Sequence, residues 1–161
     1  MKVLRDSYDR HFTYLRLSLT EKCNFKCTYC LPNGYQSNSC ASDLDLHEIK
    51  NLLLAFKKLG FTKLRLTGGE PTLRKDIIEI VELAKNLGFA TIALTTNGFR
   101  LLNLLEPLQR AGLMMLWLNL RTSTETETKS RSQKLYQKAK MSESKDDCFT
   151  FHSETRCNLN I

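Results

Sequence analysis

Cys23-Asn24-Phe25-Lys26-Cys27-Thr28-Tyr29-Cys30 packs three thiols into one short stretch. Thiolates this close can converge on one metal site. Three is one short of the four that hold a structural zinc or an ordinary iron–sulfur cluster. A [4Fe-4S] cluster on three protein thiolates leaves one iron open to an outside ligand. Such a cluster does chemistry rather than only passing electrons. The same spacing also suits a zinc knuckle completed by Cys40 or His47. Cys148 and Cys157 stand too far apart for a Cys-x2-Cys pair and read as unstructured thiols, and Cys40 taken alone reads as a bystander. His11, His47 and His152 fall in no recognisable ligand spacing and read as surface residues.

These cysteines need a scaffold, and the flanking sequence alternates between strand and helix. Tyr14 to Thr20 carries apolar residues at every second position, the period of a strand. Residues 21–45 hold the cysteines, Pro32, Gly34 and several Ser and Asn, and read as a long functional loop. A helix follows over about 46–59, with Asp45 and Glu48 forming a capping box and Gly60 a stop. Lys63 to Thr67 is a second strand, followed by Gly68-Gly69-Glu70-Pro71. A second helix is expected over about 76–87, again with an Asp-x-x-Glu start at Asp76 and Glu79. Ala90 to Thr95 is a third strand, ending in Thr96-Asn97-Gly98. A third helix is expected over about 104–111, with Pro107 near its first turn, where a missing N–H costs least. Leu113 to Leu118 is unbroken apolar sequence and suits a fourth strand buried on both faces.

The order β-α-β-α-β-α-β argues for parallel strands joined by helical crossovers. Ligands in such folds bind at the carboxyl ends of the strands. The cysteine loop, Gly-Gly-Glu-Pro and Thr-Asn-Gly all fall there. After residue 120 the composition turns to Ser, Thr, Lys and Glu without period or alternation. The expectation is a core over 1–120 and a low-complexity, disordered or weakly helical tail over 121–161.

Composition sets the outer bounds. The chain has 161 residues, 42% hydrophobic and 25% charged, within the globular range. It is too short for a complete eight-fold α/β barrel of about 250 residues. The formal net charge of +7 suits an anionic partner such as a nucleotide, and equally suits a merely basic protein. Residues 1–12 lack the apolar stretch of a secretory signal, and no apolar run reaches the ~20 residues of a membrane helix. The expectation is a cytoplasmic chain with no membrane contact. In that compartment six cysteines are metal ligands or reactive thiols rather than disulfides.

The Cys-x3-Cys-x2-Cys loop with an aromatic before its last cysteine, set after the first strand of a β/α repeat, resembles the signature of the radical S-adenosylmethionine (SAM) superfamily. Gly-Gly-Glu-Pro after the second strand resembles that superfamily's second element. YLRLSLTEKCNFKCTYCLP, RLTGGEPTLR and TTNGFRLL narrow the resemblance to the GTP 3′,8-cyclase family of molybdenum cofactor biosynthesis, over roughly residues 5–113. The fold implied is an incomplete (β/α)6-type partial barrel of about three and a half β/α units. The resemblance implies that Cys23, Cys27 and Cys30 ligate a [4Fe-4S] cluster, that Tyr29 and Gly69 contact SAM, and that Arg16, Arg65 and Thr95 contact GTP. It implies reductive cleavage of SAM to a 5′-deoxyadenosyl radical, which takes the 3′ hydrogen of GTP so that the ribose carbon closes on guanine C8. A flavodoxin- or ferredoxin-like protein would supply the electron, and no nucleic acid partner is expected.

The resemblance also has an edge. Family members are about twice as long and carry a second, guanine-binding cluster on a C-terminal region, which is expected to be absent here. Met114 to Leu120 departs from the family's fourth strand. The expectation is therefore a truncated or frameshifted cyclase, whose fourth strand would be an exposed apolar edge. Two other readings stay open: another radical SAM enzyme, and a non-catalytic zinc- or cluster-binding module.

Overall fold

The computed structural model describes residues 4–27, 30–36 and 42–119, and the backbone of 150–153. Five strands form one sheet in the order β1-β2-β3-β4-β5, every pairing parallel. The strands are β1 (Tyr14–Ser18), β2 (Lys63–Thr67), β3 (Thr91–Thr96), β4 (Met115–Leu118) and β5 (Thr150–Ser153). Helices α1 (Leu46–Lys58), α2 (Ile77–Asn86) and α3 (Leu101–Ala111) connect the first four, and a 3-10 turn, Pro71–Leu73, precedes α2.

The period-2 pattern explains the two faces of the sheet. Leu17, Leu66, Leu94 and Leu116 are register partners across β1 to β4 and are all buried. One row toward the amino ends, Leu64 and Ile92 pair on the same face. Ile49 and Leu53 of α1, Ile77, Ile80, Val81 and Ala84 of α2, and Leu101, Leu105 and Leu108 of α3 complete one contiguous core with them. Burying a Leu or Ile side chain of this kind contributes about 1.5–3 kcal/mol. The alternate residues, Arg16, Arg65, Ala93, Thr95 and Trp117, stand on the other face, which no helix covers among the described residues.

Local signals explain where the helices begin. The Asp45 carboxylate accepts from Glu48 N (2.8 Å) and the Glu48 carboxylate accepts from Asp45 N (2.8 Å), the expected capping box. The second expected cap does not form. Asp76 makes no side-chain bond to the helix, because Arg74 takes its carboxylate in a two-point pair (Nε–Oδ1 2.9 Å, Nη2–Oδ2 2.7 Å). Helix α3 starts three residues before the sequence expectation, so Pro107 lies inside it rather than in its first turn. The stripe Leu101, Leu105, Leu108, Ala111 buries as one face and carries the helix through the proline. The carbonyl that Pro107 cannot bond belongs to exposed Asn103, where water can satisfy it.

The edge of β4 is a further correction. The sequence reading left it exposed, whereas β5 pairs along it from Met115↔Thr150 to Leu118↔Ser153. The rest of the expected tail over 121–161 lies outside the described residues, as do Tyr29, Cys40, Cys148 and Cys157. No helix among the described residues is long and apolar enough to cross a membrane.

Candidate functional site

The three cysteines sit on the loop that leaves the carboxyl end of β1. Cys23 and Cys27 are half-buried and Cys30 is exposed. Cys30 N and Leu31 N both donate to Cys27 O (3.1 and 2.8 Å), so the loop turns back after Cys27. That turn brings Cys30 back toward Cys27. Partial burial pushes the Cys30 thiol above its ordinary value, and Cys27 and then Cys23 push it the same way. No three His, Cys, Asp or Glu side chains among the described residues close to the spacing of a single metal ion. A cluster is held by one thiolate per iron, so its ligands need not meet at one point. Three cysteines on one loop, with Cys30 turned back toward Cys27, are the donor set for a [4Fe-4S] group that leaves one iron free. His47, the expected alternative ligand, lies in the first turn of α1 with its Nδ1 3.3 Å from Asn51 Nδ2.

The root of this loop is bound to the Gly-Gly-Glu-Pro turn. Gly69 N donates to Thr20 O (2.7 Å) and Glu70 N to Lys22 O (2.8 Å). The approach is too close for any side chain. A Cβ on Gly68 would stand 2.4 Å from Thr20 O, and one on Gly69 would stand 2.4 Å from Lys22 O. Gly68 also holds φ +144°, a conformation that L side chains rarely adopt. The two glycines are therefore required by contact between two backbones.

Glu70 then ties this turn to the third strand. Its carboxylate is fully buried and accepts four hydrogens: from Thr72 N (3.0 Å), Thr72 Oγ1 (2.5 Å), Thr96 Oγ1 (2.6 Å) and Asn97 N (2.6 Å). A buried carboxylate is tolerated only when its lone pairs are taken in this way. The sequence reading noted the motif but gave Glu70 no role. An acidic residue inside a Gly-Gly-x-Pro turn, with a Thr-Asn-Gly turn at the next strand end, was the available signal. Arg74 adds a further tie, donating from Nη1 to Leu19 O (3.0 Å).

The expected GTP contacts gather on the uncovered face. Arg16 and Arg65 are register partners, and Thr95 lies on the same face of β3. Both arginines stand mid-strand, each the central residue of a five-residue strand. Arg65 reaches across β3 and lays its guanidinium over the Trp117 ring, 4.2 Å from the centroid. The small Ala93 between them, buried although it faces away from the helices, leaves room for that reach. Arg65 Nε and Thr95 Oγ1 are buried with no hydrogen-bond partner among the described residues. Buried polar groups are almost always satisfied, so both atoms are suited to a ligand. A separate cleft of about 400 Å³ opens beside Cys30, lined by Glu21, Leu31, Asn33, Gly34 and Tyr35.

This architecture has known counterparts. The family model of the Radical SAM superfamily matches residues 17–143. The chain belongs to the radical SAM superfamily. It is 54% identical over 114 residues to the GTP 3′,8-cyclase of Shewanella denitrificans, covering 70% of this chain and 34% of that protein. It is 52% identical over 122 residues to the GTP 3′,8-cyclase of Synechococcus elongatus, covering 74% and 37%. It is 56% identical over 100 residues to that of Haemophilus ducreyi, covering 61% and 29%. The chain thus spans about a third of the length of the curated relatives it matches. The crystal structure of BtrN in complex with AdoMet and 2-DOIA superposes with a TM-score of 0.65 at 19% identity, over 95% of this chain and 57% of that one. That likeness establishes the fold.

Proposed function

We propose that this chain is a radical SAM enzyme of the GTP 3′,8-cyclase kind, acting in molybdenum cofactor biosynthesis. The observation that carries the reading is the pairing of two features: three free cysteines on the loop after β1, and two arginines in register with Thr95 nearby on the uncovered face. The cyclase relatives, about half identical over 114 and 122 residues of this chain, support the same reading.

Cys23, Cys27 and Cys30 would hold the cluster, with Tyr29 and Gly69 beside SAM. When bound, a [4Fe-4S] group with one iron free of protein ligands supplies the reductive cleavage of SAM to a 5′-deoxyadenosyl radical. The chain's own residues would bind and orient the nucleotide. Arg16 and Arg65 offer planar, permanently charged donors to phosphate or ribose oxygens. Thr95 offers a hydroxyl, and Trp117 fixes the plane of the Arg65 guanidinium. A flavodoxin- or ferredoxin-like donor and a cytoplasmic setting belong to the same proposal.

The test is anaerobic reconstitution of the full chain with iron and sulfide. The expected result is a brown protein of about four irons. Its spectrum shifts with SAM, and under dithionite it releases 5′-deoxyadenosine. GTP should also change the fluorescence of Trp117, the single tryptophan of the chain, which reports directly on Arg65. One stoichiometric zinc with no response to SAM would overturn the assignment. SAM cleavage without any GTP-dependent product would redirect it to another radical SAM activity.

A further inference from the structure

The cysteine loop is also held from the far side. Asn97, in the turn that ends β3, donates from Nδ2 to Oδ1 of Asn24 at 3.0 Å. Asn24 lies between the first and second cysteines of the loop, 73 residues earlier in the chain. The Phe99 ring meets the Phe25 ring edge-on, with centroids 6.0 Å apart. Two adjacent residues of the loop are therefore matched to two residues of one turn. That turn is itself rigid: Asn97 N is held by Glu70, Asn97 Oδ1 accepts from Phe99 N (2.9 Å), and Thr96 Oγ1 accepts from Gly98 N (3.0 Å).

We infer that Asn97 is a positioning residue for the cluster, latching the Cys23–Cys27 segment to the β3 turn through Asn24. This rests on the reading that the three cysteines hold a [4Fe-4S] group. The latch acts on that group's lifetime. A cluster is lost to a chelator when the loop opens and exposes its irons, and the Asn24–Asn97 bond and the Phe25–Phe99 contact oppose that opening. The chemistry of the two amides fixes their roles. Asn97 uses its carbonyl within its own turn and has its NH2 to spare, while Asn24 supplies the acceptor.

The experiment is a double-mutant cycle on the reconstituted full chain. Asn97→Ser keeps a short acceptor for Phe99 N but cannot reach Asn24. Asn24→Ala removes the acceptor and leaves the β3 turn intact. The readout is the rate at which the cluster's visible absorbance bleaches with an iron chelator, with thermal melts of the cluster-free chains as the folding control. Each single variant should lose its cluster about five-fold faster, as expected for one hydrogen bond opposing loop opening. The double variant should lose it no faster than either single, because both changes remove the same bond. Factors that multiply in the double variant, or bleaching rates equal to wild type in all three, would overturn the latch. A wild-type chain that takes up no cluster would instead overturn the reading of the cysteines, so the two failures are distinct.

Discussion

Replacing Glu70 by Gln changes one atom and tests the joint between the second and third strand ends. The carboxylate takes three hydrogens on Oε1 and one, from Asn97 N, on Oε2. A glutamine sits best with its carbonyl in the Oε1 place, which keeps the three. Its NH2 then faces the Asn97 N–H, donor against donor, in a position with no access to water. The flipped amide is worse, since it confronts three donors. A buried donor left unsatisfied costs about 1–3 kcal/mol, and the three surviving bonds lose their ionic assistance. The expected loss is about 3 kcal/mol. With a urea slope of about 2 kcal/mol per molar, the unfolding midpoint should fall by about 1.5 M. Trp117 is a convenient probe, because it lies on β4 opposite Thr95, next to the disturbed turn. Thr72→Val, which removes one donor to the carboxylate and keeps the charge, should cost less than half as much. A Glu70→Gln midpoint equal to wild type would refute the four-donor account of this carboxylate and with it the central role given to Glu70.

Two further outcomes follow from the same network. Gly69→Ala places a Cβ 2.4 Å from Lys22 O and 2.7 Å from Glu21 O, backbone atoms that cannot rotate away, so the loop root must move; iron bound after reconstitution should drop well below the wild-type amount. The Arg74 pair holds the Asp76 carboxyl below its ordinary range, so its contribution to stability is present above the usual carboxylate pKa and is lost as pH falls through the depressed value. Asp76→Asn should therefore be about 1 kcal/mol less stable than wild type at pH 7. The two should converge in acid, read from urea midpoints between pH 7 and pH 3.

Short-range pattern carried much of this fold. The alternation in Tyr14 to Ser18, the capping box at Asp45 and Glu48, and the glycines after α1 and α2 each specify structure within a few residues, and the elements stand there. Strand β5 escaped because Phe149-Thr150-Phe151 is a brief β-favouring run inside a polar stretch, and its pairing depends on β4 more than thirty residues earlier. The extent of α3 escaped because Pro107 suggested a helix start, while the buried leucine stripe decided it. The cysteine spacing was visible from the sequence. What holds the loop was not: the Glu70–Thr96 and Asn24–Asn97 bonds join residues 26 and 73 positions apart. No local period encodes such pairs, since only the parallel sheet brings those strand ends together.

The same sheet separates two tasks. At its carboxyl edge, backbone contacts from Thr20 and Lys22 to Gly69 and Glu70, and side-chain contacts from Glu70 and Asn24 to the β3 turn, fix the cysteine loop. All of these lie between residues 20 and 97, within the first three strand–loop units. On the uncovered face, Arg65 and Thr95 keep buried polar atoms without partners among the described residues, and Arg65 is held by Trp117 of β4. Support for the loop therefore depends on β1 to β3, whereas the setting of Arg65 depends on β4 as well. A change at Trp117, such as Trp117→Leu, should alter the GTP binding proposed for that face while leaving cluster uptake intact. A change at Glu70 should disturb cluster uptake first. If the two sites instead failed together under either substitution, the division of labour between the sheet's edge and its open face would be wrong.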